Sequence, residues 1–401
     1  MPQVQATVPW DWESRRHIDA LAFPEAEYAA RIERLRDEMR DGGLTHLIAY
    51  SNHADPGNVR WLSGFYTSYG ESIVVVSLER EPMLVTNWVM HNEPMHSGIY
   101  HSWMKDTRVC SMGSDDIAEE VAEVINPSVS GVTIGLAGQR IIPQRIVAKL
   151  ATALGVDAFT DGDQALAAAR RIKSVREIEM MRRAAQITGA GLAAALAACV
   201  PGVTEQAVMG IAHGAMFAAG AEHLAFDTAV ASGPLRAGMK HCTPTWRALE
   251  PGDMVFLDMG ATYHGYYADV SRCAIVGDPT PESLRLMVAA ENLFAELSQL
   301  GRPGKAVVDW HEDGLRIASE LGFADHYKRG GFGHGLGCMV YERPNLRFGP
   351  NPEVLETGMT FAFEPMFVIG GLGTGVVEDT MLVTESGLEP LSGLPTRTYS
   401  R

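Results

Sequence analysis

The chain has 401 residues, 46% of them hydrophobic and 20% charged, an ordinary composition for a globular protein long enough to form two cores. Its net charge of −16 at pH 7 repels phosphate backbones and anionic lipid, so no nucleic-acid or membrane partner is expected. Five scattered cysteines (Cys110, Cys199, Cys242, Cys273, Cys338), odd in number and without CxxC spacing, argue against a thiolate zinc site and for reduced thiols in a cytoplasmic compartment.

In chain order, the start MPQVQATVPWDWESRRH has no basic stretch leading into an apolar core, so no targeting segment is expected. Residues 24–40 place Tyr28, Ile32, Leu35 and Met39 on one helical face and stop at Gly42-Gly43, after which 44–51 is apolar enough for a strand. Further strands are expected at 72–77 and 82–86, then a helix at 115–125, a strand at 132–137, a helix at 143–154 and a strand near 156–160. That alternation predicts an α/β N-terminal domain over residues 1–165. The mixed-charge stretch AARRIKSVREIEM (168–180) opens a long helix, and its alanine-rich run at 190–200 is too short to cross a bilayer. Over 166–401 the pattern changes to long helices (175–198, 204–219, 281–300, 304–321) among hairpin-like strands (225–231, 253–274, 359–369, 375–384). This predicts an α+β C-terminal domain with antiparallel pairing.

Within it, EPGDMVFLDMGATYHGYYADVSR (250–272) reads as a single β-hairpin turning at His264-Gly265. A turn there sets Asp258 opposite Ser271, and Asp269 lies two residues from Ser271 on the same face. The two aspartates become diagonal neighbours, roughly 7–8 Å apart at the backbone and able to share a cation. Aspartates facing each other on a strand repel unless a proton or cation sits between them. Further on, GGFGHGLG (330–337) sets His334 among glycines that let the backbone pack closely. A phosphate-binding loop is the rival reading, and it fails because neither GxGxxG nor a GK[ST] ending is present. TFAFEP (360–365) ends an apolar strand on Glu364, and GVVEDTMLVT (375–384) embeds Glu378 in another, where an unpaired buried carboxylate is costly. Four carboxylates and one imidazole, with no thiolate, suit Mn, Co, Fe or Zn and a pair of ions roughly 3.5–4 Å apart.

The order Asp258, Asp269, His334, Glu364, Glu378, in the motifs VFLDMG, ADVSR, GHGLG, FEP and EDT, resembles the pita-bread metallohydrolases: prolidase, aminopeptidase P, methionine aminopeptidase and creatinase. The resemblance covers essentially the whole chain, because NVRWLSGF (58–65) is similar to the NIRYLTGF-type segment of prolidase N-terminal domains, and the two-domain prolidase and creatinase-like members match best. It implies a creatinase/prolidase-type α/β N-terminal domain followed by a pita-bread catalytic domain. It also implies that these five residues bind two divalent ions, with Glu364 as general base on the attacking water. His241, twelve residues before Asp253, matches the register of the family's substrate-binding histidine, which donates a hydrogen bond to the developing oxyanion or leaving nitrogen. The implied reaction is hydrolysis of a C–N bond in a short peptide or small molecule, by a homodimer whose pocket wall includes residues near Trp61, Tyr66, Tyr69 and Trp88.

Two positions depart from the prolidase pattern. Tyr341 stands where a second histidine follows the metal histidine by seven residues, and Val376 stands where an arginine precedes the last metal glutamate by two. Both positions help hold a peptide in the family, so Tyr341 is expected to contact substrate and Val376 to form an apolar wall. The readings that follow are an Xaa-Pro-type peptidase or, alternatively, an amidohydrolase of a small metabolite, of the ectoine hydrolase or creatinase kind. A lyase and a non-catalytic binding protein rank lower, because proteins that lose catalysis on this fold tend to lose ligands and all five are present.

Overall fold

The computed structural model describes residues 22–89, 102–111, 116–125, 131–239, 242–328 and 332–396. It divides into two compact units, Met1–Ala169 and Arg170–Arg401. Among the described residues no helix is long and apolar enough to cross a membrane.

The first unit runs α1 (Glu25–Asp41), β1 (His46–Asn52), α2 (Gly57–Ser63), β2 (Glu71–Ser77), β3 (Met83–Val89), β4 (Asp106–Ser111), α3 (Asp116–Val124), β5 (Ile134–Ala137), α4 (Gln144–Leu154), β6 (Thr160–Asp161) and α5 (Asp163–Arg171), the last crossing into the second unit. Its six strands form one mixed sheet in the order β4-β3-β2-β1-β5-β6. β1 pairs antiparallel to β2 and parallel to β5, as an α/β unit requires. β2 is buried at all seven positions, so the sheet is covered on both faces. Ile48, Tyr50, Ile73 and Val75 pack there with Ile117, Val121, Ile146 and Leu150 of α3 and α4. The anticipated helix face of α1 is buried through Tyr28, Ile32, Leu35 and Met39. Two short elements, α2 and β4, were not legible in the sequence, and the strand expected near 156–160 shrinks to two residues. Trp61 is 1% exposed, and its carbonyl accepts a hydrogen bond from the buried guanidinium of Arg31 at 3.1 Å.

The second unit contains α6 (Val175–Ala198), α7 (Glu205–Ala218), β7 (His223–Leu224), β8 (Ala229–Ser232), α8 (Gly233–Arg236), β9 (Met254–Met259), β10 (Ala261–Tyr263), β11 (Tyr266–Tyr267) and β12 (Val270–Ile275). It continues with α9 (Pro281–Leu300), α10 (Val307–Glu320), β13 (Gly333–Gly335), β14 (Thr360–Phe363), β15 (Met366–Ile369), β16 (Gly373–Val376), β17 (Asp379–Thr384) and β18 (Gly387–Pro390). The helices begin at strong caps: Ser174 with Glu177, and Thr280 with Ser283, form reciprocal capping boxes. All pairings in this unit's sheets are antiparallel. β9 is sandwiched between two cores: Met254 and Phe256 face the cluster under α9 and α10, while Val255, Leu257 and Met259 face the cluster under α6 and α7. Period-2 alternation therefore turns Asp258 toward the first side, at the edge where that core ends.

The hairpin turns where expected and the strand before Glu364 ends there as expected, but the spans are divided further than the sequence indicated, in part at or beside the acidic residues. The span 253–274 becomes β9 to β12, 359–369 breaks after Phe363, and 375–384 breaks at Val377-Glu378. At the first break, a Cβ on Gly260 would collide with the Ala268 carbonyl, so only glycine lets the two strands cross so closely.

Candidate metal centre

The hairpin that carries the aspartates has the register expected of it. Ser271 pairs with Asp258, and the chain reverses at His264 (φ 47°) and Gly265 (φ 81°). Two consecutive left-handed residues make the tight turn whose twist matches the strands, and glycine occupies the second. Asp269 precedes β12, and its backbone is bracketed by Thr380, whose Oγ1 accepts from the Asp269 N–H and donates to its carbonyl, both at 3.0 Å.

His334 enters from the facing sheet. β13, β14 and β17 align His334 with Ala362 and Ala362 with Thr380, so one cross-strand row runs from the imidazole to the residue that holds Asp269. The flanking glycines have a packing reason: a Cβ at Gly333 would strike the Ala362 carbonyl, and one at Gly335 the backbone of Glu342 and Arg343. Opposite-facing Phe361 and Phe363 anchor β14 in the core, where Phe363 stacks on Trp310 at 4.7 Å. Glu364 follows where the strand ends. Glu378 sits between β16 and β17, its N–H bonded to the Ser271 carbonyl at 3.1 Å.

Oxygens of Asp258, Asp269 and Glu378 lie within 4.8 Å of one another, and all three residues are buried. Nε2 of His334 is 3.4 Å from Asp269 Oδ2, and its Nδ1 lies 3.3 Å from the Gly335 carbonyl. All four, with Glu364 and Tyr341, line one cavity of about 600 Å³, within the range of small-ligand pockets. Burial pulls the His334 pKa down, but the hydrogen bond and charge of Asp269, with the charge of Glu364, outweigh it and raise the net value.

Whether these residues suit divalent ions can be tested on their own chemistry. Three buried carboxylates this close repel unless a cation or protons intervene. Oδ1 of Asp269 is buried without a hydrogen-bond partner among the described residues, a cost that a cation would remove. An oxygen-rich set with one imidazole and no thiolate fits Mn, Co, Fe or Zn. The donor set fits.

Of the other anticipated residues, Tyr341 is 59% exposed and its ring lies over His334, centroids 4.4 Å apart. Val376 does not form a pocket wall. It is 1% exposed and packs in the core beneath α9 and α10, because its position on β16 faces inward. His241 lies outside the described residues.

The sequence reading missed what stands behind the site. Arg272, within the ADVSR motif, is completely buried and bonds the carbonyls of Ser271 (2.9 Å) and Glu378 (2.5 Å), while its Nη2 pairs with Asp379 at 3.3 Å. Asp379 in turn accepts from Ser392 N–H and Oγ. An arginine inside the apolar strand VSRCAI was the available signal. Met209 and His213 of α7, with Phe226 and Thr228, form part of the remaining wall, and His213 Nε2 is 2.9 Å from Thr228 Oγ1.

A model of the metallopeptidase family M24 matches residues 179–385, and one of the creatinase/prolidase N-terminal domain matches 31–172. An Xaa-Pro dipeptidase of Pyrococcus furiosus is 28% identical over 274 residues, 68% of this chain and 76% of its own length. A putative dipeptidase of Bacillus subtilis is 25% identical and spans 91% of this chain and 98% of its own. Among solved structures, the Xaa-Pro dipeptidase from Bacillus anthracis superposes with a TM-score of 0.76 at 26% identity, covering 92% of this chain and 98% of that one. The prolidase from Pyrococcus furiosus gives the same score and identity over 90% and 99%. The chain therefore belongs to metallopeptidase family M24, with a creatinase/prolidase-type N-terminal domain ahead of a pita-bread catalytic domain, and is a metal-dependent hydrolase.

Proposed function

We propose that Asp258, Asp269, His334, Glu364 and Glu378 hold two divalent ions, and that the enzyme hydrolyses the C–N bond of a short peptide in the manner of an Xaa-Pro peptidase. The observation that carries this is the convergence of three buried carboxylates within 4.8 Å, on a cavity that His334 and Glu364 also line. When bound, such ions supply Lewis acidity toward the scissile carbonyl and the attacking water. The chain's own residues do the rest. Glu364, partly exposed at the end of β14, accepts the proton of the water and passes it toward the leaving nitrogen. His241 donates a hydrogen bond to the oxygen or nitrogen on which charge develops. Tyr341, lying over His334, offers a hydroxyl to the substrate. Xaa-Pro dipeptidases among the relatives support the peptidase reading.

A second reading rests on one specific feature. Among the described residues the cavity is lined by no lysine or arginine, so no ammonium or guanidinium of the described residues is there to hold a free substrate carboxylate. That favours a neutral or zwitterionic amide of a small metabolite. Two measurements decide. Metal analysis should find two ions per chain, reduced in Asp258→Asn and in Glu378→Gln, since a neutral amide is a far weaker ligand; unchanged content in both variants would show the ligands are elsewhere. Steady-state kinetics with Mn²⁺ on Ala-Pro and Met-Pro beside cyclic and N-acyl amides separates the substrates: kcat/KM near roughly 10⁴ M⁻¹s⁻¹ or above on the dipeptides selects the peptidase. The proposed assembly is a homodimer, which light scattering would report as twice the chain mass.

A further inference from the structure

Glu205, the first residue of α7, is a fully buried carboxylate in the same unit, and it touches none of the proposed metal ligands. Its Oε1 accepts from Ser232 N–H (2.8 Å), Ser232 Oγ (2.7 Å) and Arg236 Nε (3.2 Å). Its Oε2 accepts from Thr245 N–H (2.8 Å) and Thr245 Oγ1 (2.7 Å), with Arg236 Nη2 at 3.2 Å. Ser232 ends β8, so one carboxylate bonds both the end of that strand and Thr245, beside Cys242, Thr243 and Pro244. Arg236 adds a bond to the Thr243 carbonyl at 2.7 Å. The tied segment lines the proposed substrate cavity through Cys242, Thr243 and Pro244. One helical turn apart on the same face of α7, Met209 and His213 line the cavity too.

We infer that Glu205 is a positioning residue for substrate: by bonding Thr245 it holds Cys242, Thr243 and Pro244 against the cavity, and it has no part in holding metal. Its consequence for turnover rests on the reading of that cavity as the substrate site; its consequence for the loop does not. Cys242 is the partly exposed thiol of the five, the others being buried, so it reports on the loop by itself.

The test is thiol labelling by Ellman's reagent of the full-length protein, native and Glu205→Gln, together with metal content and kcat/KM on Ala-Pro with Mn²⁺. An amide nitrogen in place of one oxygen faces donors and opens the tie. Cys242 should then label about tenfold faster while the four buried thiols stay protected, the pattern of local opening. Metal content should hold while kcat/KM falls. Thr245→Val removes a single donor and should give a smaller change of the same kind, which keeps the test alive if Glu205→Gln fails to fold. Unchanged Cys242 labelling in the soluble variants overturns the inference, as does acceleration of all five thiols together, which marks general loosening. Absence of Ala-Pro cleavage in the native protein counts against the peptidase reading alone, because the labelling result stands without it.

Discussion

Two groups of buried carboxylates in the catalytic unit have opposite surroundings. Glu205 is met by hydroxyls, backbone N–H groups and a guanidinium. Asp258, Asp269 and Glu378 bring their oxygens within 4.8 Å of one another, with the His334 imidazole beside Asp269. A carboxylate given enough donors is finished by the protein, and it does structural work as an anion. Carboxylates with oxygens within 4.8 Å of one another concentrate negative charge, which a divalent ion would offset. The difference gives a physical basis to what the motifs mark in sequence, since VFLDMG, ADVSR and EDT single out the three and nothing local singles out Glu205.

The largest effect expected from this comparison is on removal of metal. Chelation should abolish hydrolysis, and Mn²⁺, Co²⁺ or Fe²⁺ should restore it. Metal at 100 times its dissociation constant should also stabilise the native protein by about 2.7 kcal/mol in thermal or denaturant unfolding. Asp269→Asn should lose that stabilisation and Glu205→Gln should keep it. Equal stabilisation of both variants would erase the distinction between the groups.

A smaller effect is expected behind the site. Arg272 and Asp379 are both completely buried, and desolvation lowers the pKa of the arginine and raises that of the aspartate against their mutual attraction. Breaking such a pair leaves one buried charge, so Asp379→Asn should cost about 3–5 kcal/mol in urea unfolding. Because Arg272 holds the carbonyls of Ser271 and Glu378, the variant should also weaken metal binding without altering a ligand. A loss under about 1 kcal/mol, the scale of an exposed pair, would show that the pair contributes little.

His241→Ala addresses the loop side of the comparison. It should lower kcat/KM by roughly 10²–10³-fold, the scale for losing one donor to developing charge, with metal content intact. A change below about threefold would leave His241 no role in the transition state.

How far the sequence could be read follows the range of the interactions. The Asp258–Ser271 register was legible because a two-residue turn at His264-Gly265 determines every pair up the hairpin. The helices were legible from their caps and apolar faces. The break at Glu378 was not, since the apolar run through it is continuous and only the switch between sheets interrupts it. Val376 was misplaced for the same reason: its facing depends on which sheet β16 joins. Glu205 carries no local mark at all. Its donors come from Ser232, Arg236 and Thr245, 27, 31 and 40 positions away, and no motif connects them.

The smallest effect, and the one that bears most directly on the contrast, is the pH dependence of Glu205. Burial, the largest single influence, pushes its pKa up from the ordinary 4.5, but the bonds from Thr245 and Ser232 together outweigh it, and the net value is lowered. A carboxylate whose folded pKa lies below its unfolded one contributes stability that is fully present above the unfolded value, and that stability is lost as pH falls through the folded value. Native protein should therefore exceed Glu205→Gln in stability at neutral pH, with the gap constant down to about pH 5 and closing at lower pH. Urea titrations of both proteins, prepared free of metal and run from pH 7 to pH 4, would measure it. A gap that widens as pH falls would mean that burial dominates and that the donors around Glu205 do not complete it, and the contrast between the two groups of carboxylates would fail on the side of the loop.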